Sequence, residues 1–307
     1  MKKEILEEII LTISKETNIK PTILEKDYYV CLVLKELSIK QEDLKAYFKG
    51  GTAVYKIINT TNRFSEDIDL TVEVIETDSK NSNANRLKKS ALKYQIEGLE
   101  LIEEKTLDRK GSITAFYKYS SIYGIRDLYK SGMIQVESTS FTISKPTKRY
   151  LIEPLIYKYA NEEQKKILKD NYYISDFAID IISLERIFID KLFATEFYYI
   201  REDYQNVAKH LYDITILFNE SSIKSLLKNK KELSNLISLK RLEEKARIGG
   251  IDEKSNIKDF KYLNEKFNNN LIKTFNEMQN TYVLKEEYII DINQVTETLE
   301  IIKQFLI

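Results

Sequence analysis

The chain has 307 residues, 43% of them hydrophobic and 11% aromatic, enough apolar material to fill a core and to exclude wholesale disorder. Its 48 basic and 48 acidic residues leave a net charge near zero, which argues against a globally basic nucleic-acid binder. One cysteine (Cys31) and one histidine (His210) exclude an internal disulfide, a structural zinc site, a multi-histidine metal site and a Cys/His nucleophilic pair. No signal-peptide pattern opens the sequence and no window of about 18 uncharged apolar residues occurs, so a soluble, cytoplasmic chain without a membrane span is expected.

Only three prolines and eight glycines punctuate the sequence, which favours long helices. Apolar spacing of three and four predicts helices over 3–16 (Ile5, Ile9, Ile10, Ile13) and 22–38 (Ile23, Tyr28, Val30, Val33, Leu34, Leu37), with Pro21 at the start of the second. A short strand, Tyr47-Phe48-Lys49, ends at Gly50-Gly51. Residues 68–75 then alternate as a strand does, with Ile68, Leu70, Val72 and Val74 on one face. A helix near 83–98 precedes three strand-like runs near 101–107, 112–120 and 133–142. From about Ile179 the pattern is helical almost throughout, including 183–200 and 204–218. The expected fold class is α+β, with an α/β domain over 1–150 and a mainly helical domain over 151–307; the boundary is soft between 146 and 180. The length by itself allows one large domain or two ordinary ones.

The most informative stretch is Lys49-Gly50-Gly51-Thr52-Ala53-Val54 followed by Arg63-Phe64-Ser65-Glu66-Asp67-Ile68-Asp69-Leu70. A glycine pair between a strand and a helix lets backbone N–H groups approach a phosphate at the helix N-terminus; an ordinary tight turn is the alternative. Asp67 and Asp69, two apart on a strand, share a face opposite Ile68 and Leu70. Six acids and no Lys or Arg lie between Phe64 and Ser79. Adjacent carboxylates repel unless protonated or bridged by a cation, and hard oxygen ligands suit Mg²⁺ or Mn²⁺. The alternative is a solvated strand edge. Glu137, in Met133-Ile134-Gln135-Val136-Glu137-Ser138, is the best placed further metal-binding carboxylate from a neighbouring strand, with Glu73 and Glu103 as weaker candidates. In the helical half, Lys191 lies among Ile187, Phe188, Leu192 and Phe193, so its tip needs a route to water or a partner. Asp213, between Tyr212 and Ile214, must be paired if it faces inward, and Lys191 is a candidate partner. Cys31 reads as core, and His210 as a capping or surface residue rather than a general base.

These blocks resemble the polymerase-β-like nucleotidyltransferase superfamily, and more narrowly the AbiEii/AbiGii-type toxins of bacterial abortive-infection and toxin–antitoxin systems. Leu24-Glu25-Lys26-Asp27-Tyr28 is similar to the family's early helix, and Phe48-Lys49-Gly50-Gly51-Thr52 with Arg63 to Leu70 to its core. Glu185-Arg186-Ile187-Phe188-Ile189-Asp190-Lys191-Leu192 and Leu211-Tyr212-Asp213-Ile214 are similar to its two later helical motifs. The resemblance implies a nucleotidyltransferase-type sheet flanked by helices and completed by the helical half. It implies that Asp67 and Asp69 bind metal and that Gly50, Gly51 and Thr52 hold nucleotide phosphates. Lys191 would contact the phosphates, and Asp213 would be a second essential acid. Ser65 would belong to this nucleotide-binding set, and it stands where related toxins can carry a regulatory phosphate. Arg201 is the candidate for a second basic nucleotide contact.

The implied reaction is in-line attack of an acceptor hydroxyl on the α-phosphate of an NTP, with pyrophosphate leaving and Mg²⁺ or Mn²⁺ assisting. The implied acceptor is the 3′ end of a tRNA, the outcome a block of translation, and a cognate antitoxin is expected. Residues 221–250 carry eight Lys/Arg against three Glu, and residues 105–130 six against two acids. Phe116, Tyr117, Tyr119, Tyr123 and Tyr129 interleave the second segment, a pattern compatible with stacking on unpaired nucleotides. Two other readings stay open: a nucleotidyltransferase acting on a small molecule such as an antibiotic hydroxyl, and a non-catalytic module that binds a nucleotide or a protein.

Overall fold

Two helices open the chain where the apolar spacing places them: α1 (Lys2–Thr17) and α2 (Pro21–Leu44), with Pro21 in the first turn of α2. The structure is a computed structural model and describes residues 2–58, 63–123, 132–247, 249–252 and 254–306. After α2 come β1 (Ala46–Lys49), α3 (Gly50–Ile57), β2 (Ile68–Val72), α4 (Lys80–Leu92), β3 (Leu99–Leu101), β4 (Leu107–Arg109), β5 (Ser112–Tyr119) and β6 (Met133–Thr139). Then follow β7 (Thr147–Ile152), α5 (Leu155–Lys158), α6 (Glu162–Tyr172) and β8 (Phe177–Ile182). The rest is helical: α7 (Leu184–Tyr199), α8 (Tyr204–Phe218), α9 (Ser221–Lys228), α10 (Lys230–Ala246), α11 (Asn269–Tyr282) and α12 (Ile292–Phe305). The fold class is α+β, as expected.

The eight strands form one mixed sheet in the order β3-β5-β6-β2-β1-β8-β7, with β4 on β5. β1 runs antiparallel to β2, β2 parallel to β6, and β5 antiparallel to β6. Phe48, Ile68, Leu70, Ile134, Val136, Ile179 and Ile181 are buried from the central strands, and α2, α3 and α4 pack on the sheet. The chain divides into two units: Met1–Thr60 with Phe64–Ile181, and Thr61–Arg63 with Ile182–Ile307. The second unit has its own core, with Phe188, Leu192, Leu211, Ile214, Phe260 and Phe275 buried. No described helix is long and apolar enough to cross a membrane.

The strand β8 departs from the expected helix at Ile179. Its run Phe-Ala-Ile-Asp-Ile-Ile sits beside β1 in parallel register, Phe48 opposite Ile181. A short apolar run of a buried parallel strand carries no periodicity that separates it from a helix. The edge strand β7 (Thr-Lys-Arg-Tyr-Leu-Ile) was not expected either. Its alternation is masked by the charges that a sheet edge tolerates.

Inside the first unit α2 buries charge as well as apolar surface. Asp27, 1% exposed, pairs with the Lys56 ammonium of α3 and accepts the Leu155 N–H at 2.8 Å. Cys31 is core, as expected; burial pushes its thiol up to about 12. Asp27 thus ties the last turn of α3 to α2. Removing one member of a buried ion pair leaves the other uncompensated, so Asp27→Ala is expected to cost about 3–5 kcal/mol of stability, read as a lowered urea midpoint.

Candidate active site

Gly50 is the hinge between β1 and α3. Its φ of +81° is a left-handed backbone conformation, and a Cβ there would collide with Asp69 Oδ2 and stand 3.0 Å from Asp69 Cγ. Only glycine meets both demands. The Asp69 carboxylate therefore lies against the first turn of α3, at the positive end of that helix. Gly51 and Thr52 continue the turn. Thr52 Oγ1 lies 2.5 Å from the Asp67 carbonyl oxygen, to which it donates, and 2.9 Å from Ser65 Oγ. The glycine turn and the acidic segment, separate in sequence, meet in space.

The strand register extends it. Lys49 is opposite Asp69, Asp69 beside Glu137, and Glu137 opposite Thr114, so these residues line up across β1, β2, β6 and β5. Lys49 Nζ reaches Thr142 Oγ1 at 3.3 Å and Thr139 Oγ1 at 3.4 Å. β2 begins at Ile68, so Asp67 stands at its mouth. Of the six acids between Phe64 and Ser79, Glu66 pairs with Lys26, Glu73 with Lys145 and Asp78 with Arg86, and Glu76 is exposed. Glu103 lies exposed in a 3₁₀ turn. The half-buried Asp67 and Glu137 carboxylates make no hydrogen bond or ion pair among the described residues. Among those residues, no three or more His, Cys, Asp or Glu side chains converge as a ready-made metal site.

The second unit holds a separate cluster. Asp213, on α8, accepts two bonds from Arg63, Nε to Oδ1 and Nη2 to Oδ2, each at 2.9 Å, in the bidentate geometry that suits guanidinium and carboxylate. Lys191 Nζ, from α7, lies 2.7 Å from Asp213 Oδ2 and 3.3 Å from His210 Nδ1. Arg63, Lys191 and Asp213 are all buried. Burial alone would push the Asp213 carboxyl up, but Arg63 and Lys191 outweigh it and hold the group well below the usual carboxylate range. For His210, burial and then the Lys191 ammonium push the imidazole well below 6.5. Its ring stacks on Tyr198 with centroids 5.5 Å apart. His210 lies within α8 and is no cap; it is half-buried and contacts this cluster.

The sequence matches the family described as nucleotidyl transferase AbiEii toxin, type IV toxin–antitoxin system, over residues 32–293. The chain belongs to the AbiEii nucleotidyltransferase toxin family. Family membership makes it the nucleotidyltransferase toxin of a type IV toxin–antitoxin system and implies a cognate antitoxin. Its fold is similar to that of MenT4, a nucleotidyltransferase toxin from Mycobacterium tuberculosis H37Rv, with a TM-score of 0.49 and 13% identity over 95% of this chain and 98% of the other. A search of curated proteins returns no match.

For this AbiEii-family chain, sequence reasoning missed Arg63 as the principal partner of Asp213. The residue stood in the core block, but a pair separated by 150 positions leaves no local signal. Arg201, the expected second cation, instead donates to the Phe197 and Gly249 carbonyls at 2.6 and 2.7 Å and stacks on the Phe197 ring. Tyr117 and Tyr119 are buried, Tyr117 donating to the Ala91 carbonyl and Tyr119 stacked on Tyr29, so they are core residues and not a base-stacking platform. Tyr129, with Arg126, Asp127 and Lys130, lies outside the described residues.

Two outcomes follow from this geometry. Gly50→Ala should displace the Asp69 carboxylate and lower nucleotidyltransferase activity by more than tenfold, measured beside a circular-dichroism melt of the same preparation. Because the folded state refuses a proton that the unfolded chain accepts at about 6.5, stability should fall as the pH drops below that value. His210 is the one histidine in the chain. A single imidazole C2–H resonance that keeps its neutral shift below pH 6, and a shallower loss of melting temperature between pH 7.5 and 5.5 in His210→Gln, would meet this expectation.

Proposed function

We propose that this toxin transfers a nucleoside monophosphate from an NTP to a hydroxyl at the 3′ end of an RNA, with the tRNA acceptor end as target and a block of translation as outcome. In this reading Asp67 and Asp69 hold Mg²⁺ or Mn²⁺, with Glu137 as the carboxylate beside them. The backbone N–H groups of Gly50, Gly51 and Thr52 take the nucleotide phosphates. The observation that carries the reading is the seat of the Asp69 carboxylate against the Cβ-free Gly50, in register with Glu137. The donor set suits such a cation: two or three hard oxygens, with remaining positions for water and substrate phosphates. When bound, the cation would lower the pKa of the attacking hydroxyl and offset charge on the departing pyrophosphate.

Lys191 contributes a point charge to the phosphates, and Asp213 holds its ammonium in place. Two cations, Arg63 and Lys191, face one carboxylate in that cluster and His210 is neutral, a balance that favours an anionic ligand. Ser65 Oγ, 2.9 Å from Thr52 Oγ1, is the place where phosphorylation would add a dianion beside Asp67 and exclude the nucleotide.

Support for an RNA acceptor comes from α9 and α10. Of the three acids in 221–250, Glu243 is buried against Arg186 and Glu244 against Lys240, and only Glu232 is exposed. Lys224, Lys228, Lys230, Lys231 and Lys245 are exposed, so this face is more basic than the sequence count suggests.

Purified protein incubated with total RNA and each labelled NTP should put label into RNA, and EDTA should abolish it. Label in a small molecule would favour an antibiotic-type enzyme instead, and no label anywhere a non-catalytic module. Asp67→Asn and Asp69→Asn should each lose about a hundredfold or more in rate with an unchanged melt. Ser65→Asp should lose activity in the same assay. Replacing Lys224 and Lys228 with alanine should weaken RNA binding uniformly and reduce the slope of log K against log salt by roughly one per lysine.

A further inference from the structure

Helix α2 carries three consecutive charges, Glu25-Lys26-Asp27, each only 1% exposed. Successive helical residues turn through about 100°, so the three side chains leave the helix in different directions. Glu25 accepts Ser121 Oγ at 2.6 Å and the Ile122 N–H at 2.8 Å, and Asp27 takes Lys56 and the Leu155 N–H. Lys26 is placed differently. Its Nζ lies 3.1 Å from Glu66 Oε2 and donates to the Met133 carbonyl at 2.6 Å. Glu66 immediately precedes Asp67, and Met133 opens β6, the strand that carries Glu137. One buried ammonium therefore ties together the two segments that supply the candidate carboxylates.

Burying a lysine is costly, and a packed hydrophobic pair in its place is often as stable or more so. Stability alone is therefore weak ground for retaining Lys26 and Glu66. The ion pair commits Glu66 inward, and the next residue, Asp67, is left with no side-chain partner among the described residues. The bond to Met133 holds the start of β6 to the same point on α2. Within the segment, Thr52 fixes the Asp67 carbonyl and the Phe64 ring packs edge-on against Tyr55 at 5.8 Å. Ser65 meets Thr52, and Lys26 adds the ion pair to Glu66.

We propose that Lys26 is a positioning residue for the carboxylates: through Glu66 and the Met133 carbonyl it fixes Asp67 and Glu137 in the arrangement that receives a divalent cation. The inference rests on the reading of Asp67 and Asp69 as the cation-binding pair. Lys26 touches neither substrate nor cation; it acts through Glu66 and the backbone of β6.

The test uses the full chain with Mn²⁺ as the probe, followed by electron paramagnetic resonance without nucleotide, together with hydrogen exchange of the 64–69 and 133–137 amides. Lys26→Met alone leaves Glu66 buried without its counter-charge, so the decisive variant is Lys26→Met with Glu66→Gln, which removes both charges. The double variant should melt within a few degrees of wild type, bind Mn²⁺ at least tenfold more weakly and exchange faster in both segments, and Lys26→Arg should recover part of the affinity. A merely structural pair would move the melt and leave Mn²⁺ affinity alone. Asp69→Asn is the control. If wild type binds Mn²⁺, Asp69→Asn loses it and the double variant matches wild type in affinity and exchange, this inference falls while the cation reading stands. If wild type binds no Mn²⁺, or Asp69→Asn binds it equally well, the cation reading falls and takes the inference with it.

Discussion

The structure depends on the close approach of a carboxylate to a backbone that has no side chain. Asp69 fills the space that a Cβ at residue 50 would need, and the antiparallel register of β1 and β2 sets the depth at which it arrives. A glycine is required twice over, for the left-handed φ and for the space. The negative group rests at the positive end of α3, whose last turn the Asp27–Lys56 pair ties to α2. Turn, helix and acidic strand are thereby held together, and the proposed nucleotidyl transfer would need that pre-organisation more than it needs reactive side chains.

Charge buried in pairs is the second theme. Asp27 with Lys56, Asp213 with Arg63 and Lys191, and Glu243 and Glu244 with Arg186 and Lys240 are all withdrawn from solvent. Most of these pairs join different elements, Glu244 with Lys240 alone lying within one helix, and each withdraws a charge that a count along the chain assigns to the surface. A protein with balanced composition consequently presents unbalanced faces.

The helices α1 and α2, the strands β1 and β2 and the Gly50/Asp69 site were legible because each rests on local periodicity or on residue types with few other uses. Glu137 was legible as a carboxylate on a nearby strand, and the pairing of β2 with β6 puts it beside Asp69. β8 was not legible, since a buried parallel strand and a helix segment of six apolar-rich residues look alike. Arg63 and the inward commitment of Glu66 were hidden for a different reason. Both depend on which distant residue lies opposite, and a single sequence records no such pairing. The tyrosines of β5 misled because alternation gives every second residue to the core; Tyr117 and Tyr119 fall on that side and Phe116 does not.

The assignment of Arg63 to the second unit, while Phe64 belongs to the first, has a practical side. A fragment ending at Ile181 keeps the guanidinium but loses Asp213, its partner in the intact protein. The complementary fragment keeps Asp213 with Lys191 and forfeits the bidentate bond. Neither piece inherits a complete set of counter-ions, so dissecting the toxin into separately expressed halves would sever an electrostatic lock that contiguous numbering conceals.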